Sequence, residues 1–281
     1  MNGLTDTACT LLRQTLGRYT GESCELSFAN LAMYASLQKT EVAERPGGLL
    51  IHFVAEHLLL VPGEPPEPEV LAQLARQYQS EIYDLPPGYI AQHPACEAFF
   101  QTAVLPGEAD YLYDCAQLVE NSGPKLRKKR NLIRQFETLY PDFALRPVSE
   151  ENAAEVVRFA EELNAKMVQA PFLQKENAAM EYAAQHFEEL GLHGILLEAQ
   201  GKPTGFSLFS RIGAGSVYDV HFEKADHDFK GAPQKLTQCA AQAILDCGGT
   251  FMNREQDMDV AGLRHAKESL APCRMYKREH L

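Results

Sequence analysis

An α+β fold is what this sequence predicts: two packed units, each a mixed, mostly antiparallel sheet flanked by helices. Three observations carry the expectation. The chain has 281 residues, too many for one ordinary core and enough for two units of roughly 100–150 residues. Its second half sets three short apolar runs in a row, and Gly201-Lys202 between the first two has the composition of a tight hairpin. A helical period and one more apolar run follow, the pattern of an antiparallel meander, a crossover helix and a returning strand.

Taken in order, residues 47–53 and 57–61 read as strands, rich in Leu, Ile, Val and Phe. Pro- and Gly-rich stretches at 62–66 and 86–88 mark loops. Residues 68–80 have helical period, with Val70, Leu71, Leu74 and Tyr78 as the expected buried stripe. Residues 110–113 read as a strand, with a turn near Ser122-Gly123. Pro124 suits the first turn of a helix that runs to about Tyr140 and stops at Pro141. Leu126, Ile133, Phe136 and Tyr140 fall on one face of that helix, and Arg127, Arg130 and Arg134 on another. Beyond it the expectation is a strand at 143–146, helices at 150–163 and 177–190, and strands at 194–198, 204–210 and 216–221. A helix at 232–246 buries Leu236, Cys239, Ala240, Ala243 and Ile244, and a strand at 250–253, a short helix at 261–268 and a strand at 274–277 follow.

Composition excludes several classes. With 45% hydrophobic and 23% charged residues the chain is globular rather than disordered. No apolar run reaches the ~20 residues that span a bilayer, because the longest, residues 48–61, is interrupted by His52, Glu56 and His57. Residues 1–6 lack the basic flank and apolar core of a signal peptide, so a cytoplasmic location is expected, without membrane insertion. Seven scattered cysteines form no C-x-x-C pair, which argues for reduced thiols rather than a zinc or redox site. The one dense cluster of ligand-type side chains, Asp219, His221, Glu223, Asp226, His227 and Asp228, reads as a polar loop, and no metal is expected. A net charge of −12 argues against generic nucleic-acid binding and against DNA as a partner. Against that background Lys125, Arg127, Lys128, Lys129, Arg130 and Arg134 put six cations into ten residues. Such a block is either a solvated helix face or a site for a polyanion.

Three segments carry a family resemblance. Asp110-Tyr111-Leu112-Tyr113 is followed by Lys128-Lys129-Arg130-Asn131 and Phe136. Residues 220–225 (Val-His-Phe-Glu-Lys-Ala) are followed by Lys230-Gly231-Ala232. The most specific is Asn253-Arg254-Glu255-Gln256-Asp257, then Gly262-Leu263-Arg264, Ala266-Lys267 and Pro272. Together they resemble the phosphatidylglycerol lysyltransferase C-terminal domain family, with departures at Asp259, His265 and Leu270. The resemblance implies two tandem GNAT-like (acyl-CoA N-acyltransferase-like) units, here 1–140 and 141–281, with a site near their junction. It further implies transfer of an aminoacyl or acyl group to an amine or hydroxyl. The donor expected first is aminoacyl-tRNA, with a CoA thioester second, and the acceptor expected is a soluble small molecule or peptide. A non-catalytic module that senses a nucleotide or acyl carrier, and an acetyl-CoA-dependent N-acetyltransferase, are the alternatives.

Aminoacyl transfer needs alignment of donor and acceptor, stabilisation of an oxyanion and removal of a proton. If residues 250–257 stay extended, Asn253, Glu255 and Asp257 share one side, with Arg254 and Gln256 on the other. Arg264 and Lys267 lie one helical turn apart. Glu255 or Asp257 then serves as base or orients the acceptor, Asn253, Arg254, Arg264 and Lys267 bind substrate, and an internal ion-pair network is the competing reading. Glu223, leaving the strand, is a second candidate base, with His221 beside it as a binding group. Lys230 and Gly231, at a helix entry, are candidate phosphate binders, as are Arg127, Lys128, Arg130 and Asn131 for tRNA.

Overall fold

The computed structural model describes residues 3–166 and 171–281. In chain order its elements are α1 (Asp6–Leu16), α2 (Phe28–Gln38), β1 (Thr40–Arg45), β2 (Gly48–Phe53), β3 (Leu58–Leu60), α3 (Pro68–Tyr78), β4 (Glu81–Ile82), α4 (Tyr89–Gln92), β5 (Asp110–Asp114), α5 (Cys115–Glu120), α6 (Arg127–Leu139), β6 (Ala144–Pro147), α7 (Ala153–Ala165), α8 (Pro171–Gln185), β7 (Leu192–Ala199), β8 (Lys202–Arg211), β9 (Val217–Ala225), α9 (Ala232–Asp246), β10 (Phe251–Asn253), α10 (Ala261–Glu268) and β11 (Arg274–Tyr276). No described helix is long and apolar enough to cross a membrane, and none of the seven cysteines is in a disulfide.

The fold is α+β and GNAT-like, with two sheets. The smaller has the order β1-β2-β3-β4, and the larger β11-β5-β10-β9-β8-β7-β6. β7, β8 and β9 form the expected meander, and Gln200 and Gly201 take the positive φ that the two-residue hairpin requires. α9 crosses over, and β10 returns parallel to β9. β5 belongs to the larger sheet, between β10 and β11, so strands from both sides of residue 140 build it.

Alternation along the strands feeds two cores. Leu196, Phe206, Leu208 and Phe222 face a core shared with α1, α2, α7 and α8, to which Leu49, Ile51 and Phe53 of the smaller sheet also contribute. On the other face, Leu197, Phe209 and Val220 pack with Phe136 of α6 and with Leu236, Ala240 and Ile244 of α9. The second helix of the chain shows why α2 lies outside the sequence expectation. α2 buries Ala29, Leu31, Ala32, Met33 and Ala35 around its girth, so it lacks the one-sided stripe that marks a surface helix. Val70, expected in the stripe of α3, is 44% exposed, whereas Leu71 is fully buried.

Residues 278–281 leave the larger sheet and complete the smaller one. Ile82 and Leu281 exchange backbone hydrogen bonds, as do Leu85 and Glu279, and His280 donates to Ala103. On the way, Arg278 is buried among three carboxylates: Glu25 at 3.1 Å, Asp84 at 3.2 Å, and Asp110.

Candidate active site

The site exists because two parallel strands part. β10 pairs with β9 only from Phe251↔Val217 to Asn253↔Asp219, while β9 continues to Ala225. Past Asn253 the chain stays beside β5, through Arg254 N–H to Tyr111 O at 3.0 Å and Tyr111 N–H to Glu255 O at 3.2 Å. The edge of β9 beyond Val220 is therefore released, and a cleft of ≈ 650 Å³ opens between the strands, closed by α6, α7, α9 and α10. A bulge sharpens the opening. Leu208 pairs with Phe222 and Phe209 with Val220, which leaves His221 as the extra residue of β9.

Glu223 is held in the cleft by two donors on one oxygen. Thr237 Oγ1 and an Arg254 Nη2 reach its Oε1 at 2.7 and 2.9 Å, and among the described residues Oε2 has no hydrogen-bond partner. Lys129 of α6 also lines this cleft, and burial together with Arg254 lowers its pKa. Sequence reasoning missed Lys129 and Thr237. Lys129 sits in the basic block, but its face becomes legible only once α6 is docked beside α9. The lining holds five cations (Lys129, Lys166, Lys224, Arg254 and Lys267) against four carboxylates (Glu223, Asp226, Asp228 and Glu255), an uncommon balance in a chain of net charge −12.

A second cleft of ≈ 340 Å³ opens on the other side, lined by Asn30, Tyr34, Phe53, Glu176 and Gln256 among others. It shares His221 and Glu255 with the first. These two side chains thus form a wall between two mouths. Burial raises the Glu255 carboxyl to about 8, opposed by the Lys267 ammonium. Burial and the Arg254 charge lower Lys267 to about 8. The Lys267 ammonium donates to the backbone carbonyls of Arg254 and Glu255. Burial holds His221 down near 3, so the imidazole is neutral, and raises Asp219 well above the usual carboxylate range.

The expected alternation through Asp257 stops at Asn253, because Glu255 turns through φ 55°. Asn253 is buried, donating to Asp110 Oδ2 at 2.9 Å and to Glu22 O at 2.8 Å. Asp257 is buried away from both clefts, bound by Arg264 through two nitrogens (2.8 and 2.9 Å) and by the Tyr111 hydroxyl at 2.6 Å. Arg264 hydrogen bonds hold its carboxyl below the ordinary value. A base needs an open lone pair facing substrate; Asp257 has neither, and Arg264 is spent on it. At this pair the ion-pair reading describes the geometry, while Arg254, Glu255 and Lys267 reach the cleft.

The other candidates divide similarly. Arg127, Lys128 and Asn131 are exposed on α6. Arg130 instead clamps the preceding turn through the carbonyls of Asn121 and Gly123. Lys230 lies beside Arg134, outside the cleft. Gly231 has φ +86°, and a Cβ there would stand 2.3 Å from Leu132 O, so it lets α6 pack on the entry of α9. At that entry Ala232 N–H already donates to Phe229 O, Pro233 has no N–H, and Asp226 and Asp228 stand in the loop.

With this geometry in view, comparison with known proteins is informative. The model of the family "Phosphatidylglycerol lysyltransferase, C-terminal" matches residues 17–278. The chain belongs to this family. No curated protein matches it. Among solved structures, a conserved protein of unknown function from Bacteroides thetaiotaomicron VPI-5482 is similar at 26% identity and TM-score 0.86, covering 99% of this chain and 97% of that one. L-PGS from Bacillus licheniformis shares the fold at 13% identity and TM-score 0.65, over 98% of this chain and 91% of that one. FemX does so at 10% identity and TM-score 0.65, over 99% and 95%. The phosphatidylglycerol lysyltransferase C-terminal family therefore supplies the architecture, and the two low identities speak for the fold alone.

Proposed function

We propose that this chain transfers an aminoacyl group from aminoacyl-tRNA to an amine or hydroxyl of an acceptor. The observation that carries the reading is the pair of clefts meeting at His221 and Glu255. Two substrates entering from opposite mouths approach each other at His221 and Glu255, and movement of these side chains would bring donor and acceptor into the contact that transfer requires. Glu223 lines the larger cleft, and its carboxylate takes the proton of the attacking group once substrate reaches the buried, unpartnered Oε2. The nucleophile bonds to the ester carbonyl carbon, the C–O bond to the donor breaks, and the proton passes from Glu223 to the departing hydroxyl. Arg254 and Lys267 stand where negative charge on the carbonyl oxygen develops; an ammonium has three donors, and Lys267 uses two on backbone carbonyls.

The basic face supports tRNA as donor. Arg127, Lys128, Lys129 and Arg130 crowd the first turn of α6, where the helix dipole disfavours cations by ~0.3–1 kcal/mol each. A polyanion at that end offsets the cost. The entry of α9 favours a CoA thioester less than tRNA as donor, since the Ala232 N–H is occupied, Pro233 has none and the neighbouring loop is acidic.

Charged tRNA with a labelled aminoacyl group and a panel of amines and alcohols tests the reading. Glu223→Gln is expected to lower transfer by ~10²–10⁴-fold with tRNA affinity retained. Arg127→Ala should weaken tRNA binding and reduce its salt dependence by about one phosphate contact. A stabilising shift with CoA thioesters and none with charged tRNA would reverse the assignment of the donor.

A further inference from the structure

The wall between the two clefts belongs to a group of side chains to which the transfer reading gives no chemical role. Asp219 and His221 stand two residues apart on β9, His221 being the bulged residue, and Glu255 follows β10 where the strands part. One ligand-type atom from each lies within 4.8 Å of the others. We propose that Asp219, His221 and Glu255 bind a divalent transition-metal ion of the Mn²⁺ or Zn²⁺ class. The inference does not rest on the transferase reading.

Unmet bonding capacity is the first argument. The Asp219 and His221 side chains are 0% and 1% exposed. Among the described residues neither Asp219 oxygen nor His221 Nδ1 has a hydrogen-bond partner. Nδ1 stands 3.4 Å from Asp219 Oδ2, longer than a well-made hydrogen bond, so the two buried groups face each other with bonding capacity unmet. Leaving such groups unpaired is costly, and a cation between them removes the cost. Orientation is the second argument. Ser210 Oγ holds His221 Nε2 at 2.8 Å, which fixes the ring and presents Nδ1 to the cluster, the arrangement by which outer groups aim a metal-binding imidazole.

Charge is the third. Asp219 and Glu255 lie within electrostatic reach of each other and of Glu25 and Asp110, and Lys267 and Arg278 are the cations that face them, an acidic surrounding that favours a bound cation. Lys267 opposes binding by repulsion, but its ammonium is directed to the carbonyls of Arg254 and Glu255. Two carboxylates and one imidazole suit Mn²⁺ or Zn²⁺ better than Ca²⁺ or Mg²⁺, which prefer all-oxygen shells. Ligands on one ion at ~2.0–2.2 Å stand ~3–4 Å apart, so side-chain shifts of about an ångström or less close the site. His221 and Glu255 line both clefts, which provides entry and leaves coordination positions open.

The test uses the full chain, stripped with chelator and titrated with Mn²⁺ or Zn²⁺ alone, followed by equilibrium dialysis with elemental analysis and by thermal melting. One equivalent per chain and a rise in Tm with metal are expected. Asp219→Asn and His221→Gln should each abolish saturable uptake, and Ser210→Ala should weaken it by ~10–100-fold. Without metal, Asp219→Asn should melt no lower than the unsubstituted chain, because it removes a buried unpaired carboxylate; His221→Gln serves if that variant fails to fold. Asp228→Asn, at an exposed carboxylate outside the cluster, should bind as the unsubstituted chain does. Absence of saturable uptake at millimolar metal overturns the proposal, as does uptake that Asp219→Asn and His221→Gln leave unchanged.

Discussion

Asp84 shows how a single buried carboxyl sets a pH response. It accepts a hydrogen bond from Ser23 Oγ at 2.8 Å and shares the Arg278 guanidinium with Glu25 and Asp110. Burial, only partly offset by Arg278, raises it to about 8. Between the unfolded value near 4 and this folded value, the folded chain holds a proton that the unfolded chain has released. Stability is then fully present below pH ~4 and falls as pH rises towards 8, by up to about 1.4 kcal/mol per pH unit. Asp84→Asn has no such proton, so its stability relative to the unsubstituted chain should rise steadily from pH 4 to 8 in denaturant melts; parallel curves would refute the assignment. The residue scale is also where the sequence misled most. Asn253, Glu255 and Asp257 look like one row of carboxylate and amide groups, yet Glu255 takes φ 55° without the Gly or Asn that usually marks such a turn. Nothing local announces Thr237 as a site residue either, and the ligand-type cluster around Asp219 and His221 reads as a loop until Glu255 is brought beside it from the end of β10.

Elements were legible where a period or a hairpin marks them. β7 to β9, α6, α9 and α10 lie close to their expected positions; α6 and α9 each have one buried and one solvated side, and the β7–β8 hairpin has a Gly-bearing turn. The splay that makes the cleft was not legible, because it depends on β10 pairing with β9 over only three residues. Gly231 is the hinge of this level. Its positive φ and the 2.3 Å from a Cβ to Leu132 O mean that α6 docks on α9 only over a residue without a side chain. Gly231→Ala combines a strained φ, ~1–2 kcal/mol, with a backbone clash. We expect it to lower Tm by about 4–8 °C and to weaken tRNA binding, because Lys129 and the basic face move with α6. A variant that melts like the unsubstituted chain would show that the interface is more tolerant than its geometry implies.

At the scale of the whole molecule, Arg278 is the joint. It ties Glu25, which follows α1, to Asp84 at the smaller sheet and Asp110 at the larger one. Arg278→Met leaves three carboxylates without their shared cation, and breaking a buried pair from one side costs about 3–5 kcal/mol. Urea melts should show that loss as a single cooperative transition, since the two sheets also share a hydrophobic core. Two transitions, with only the smaller sheet weakened, would show instead that the sheets unfold independently.

The pairing of residues 279–281 with Ile82, Leu85 and Ala103 also orders events during synthesis. An N-terminal half emerging from the ribosome exposes the β4 edge and its apolar neighbours, and their partner lies far downstream in the chain. Closing so long a loop is entropically slow, so the nascent chain waits with an open strand edge, a species prone to aggregation. Ribosome-arrested chains stalled before residue 278 should stay protease-sensitive around residues 81–105, and chains in which residues 278–281 have emerged should not.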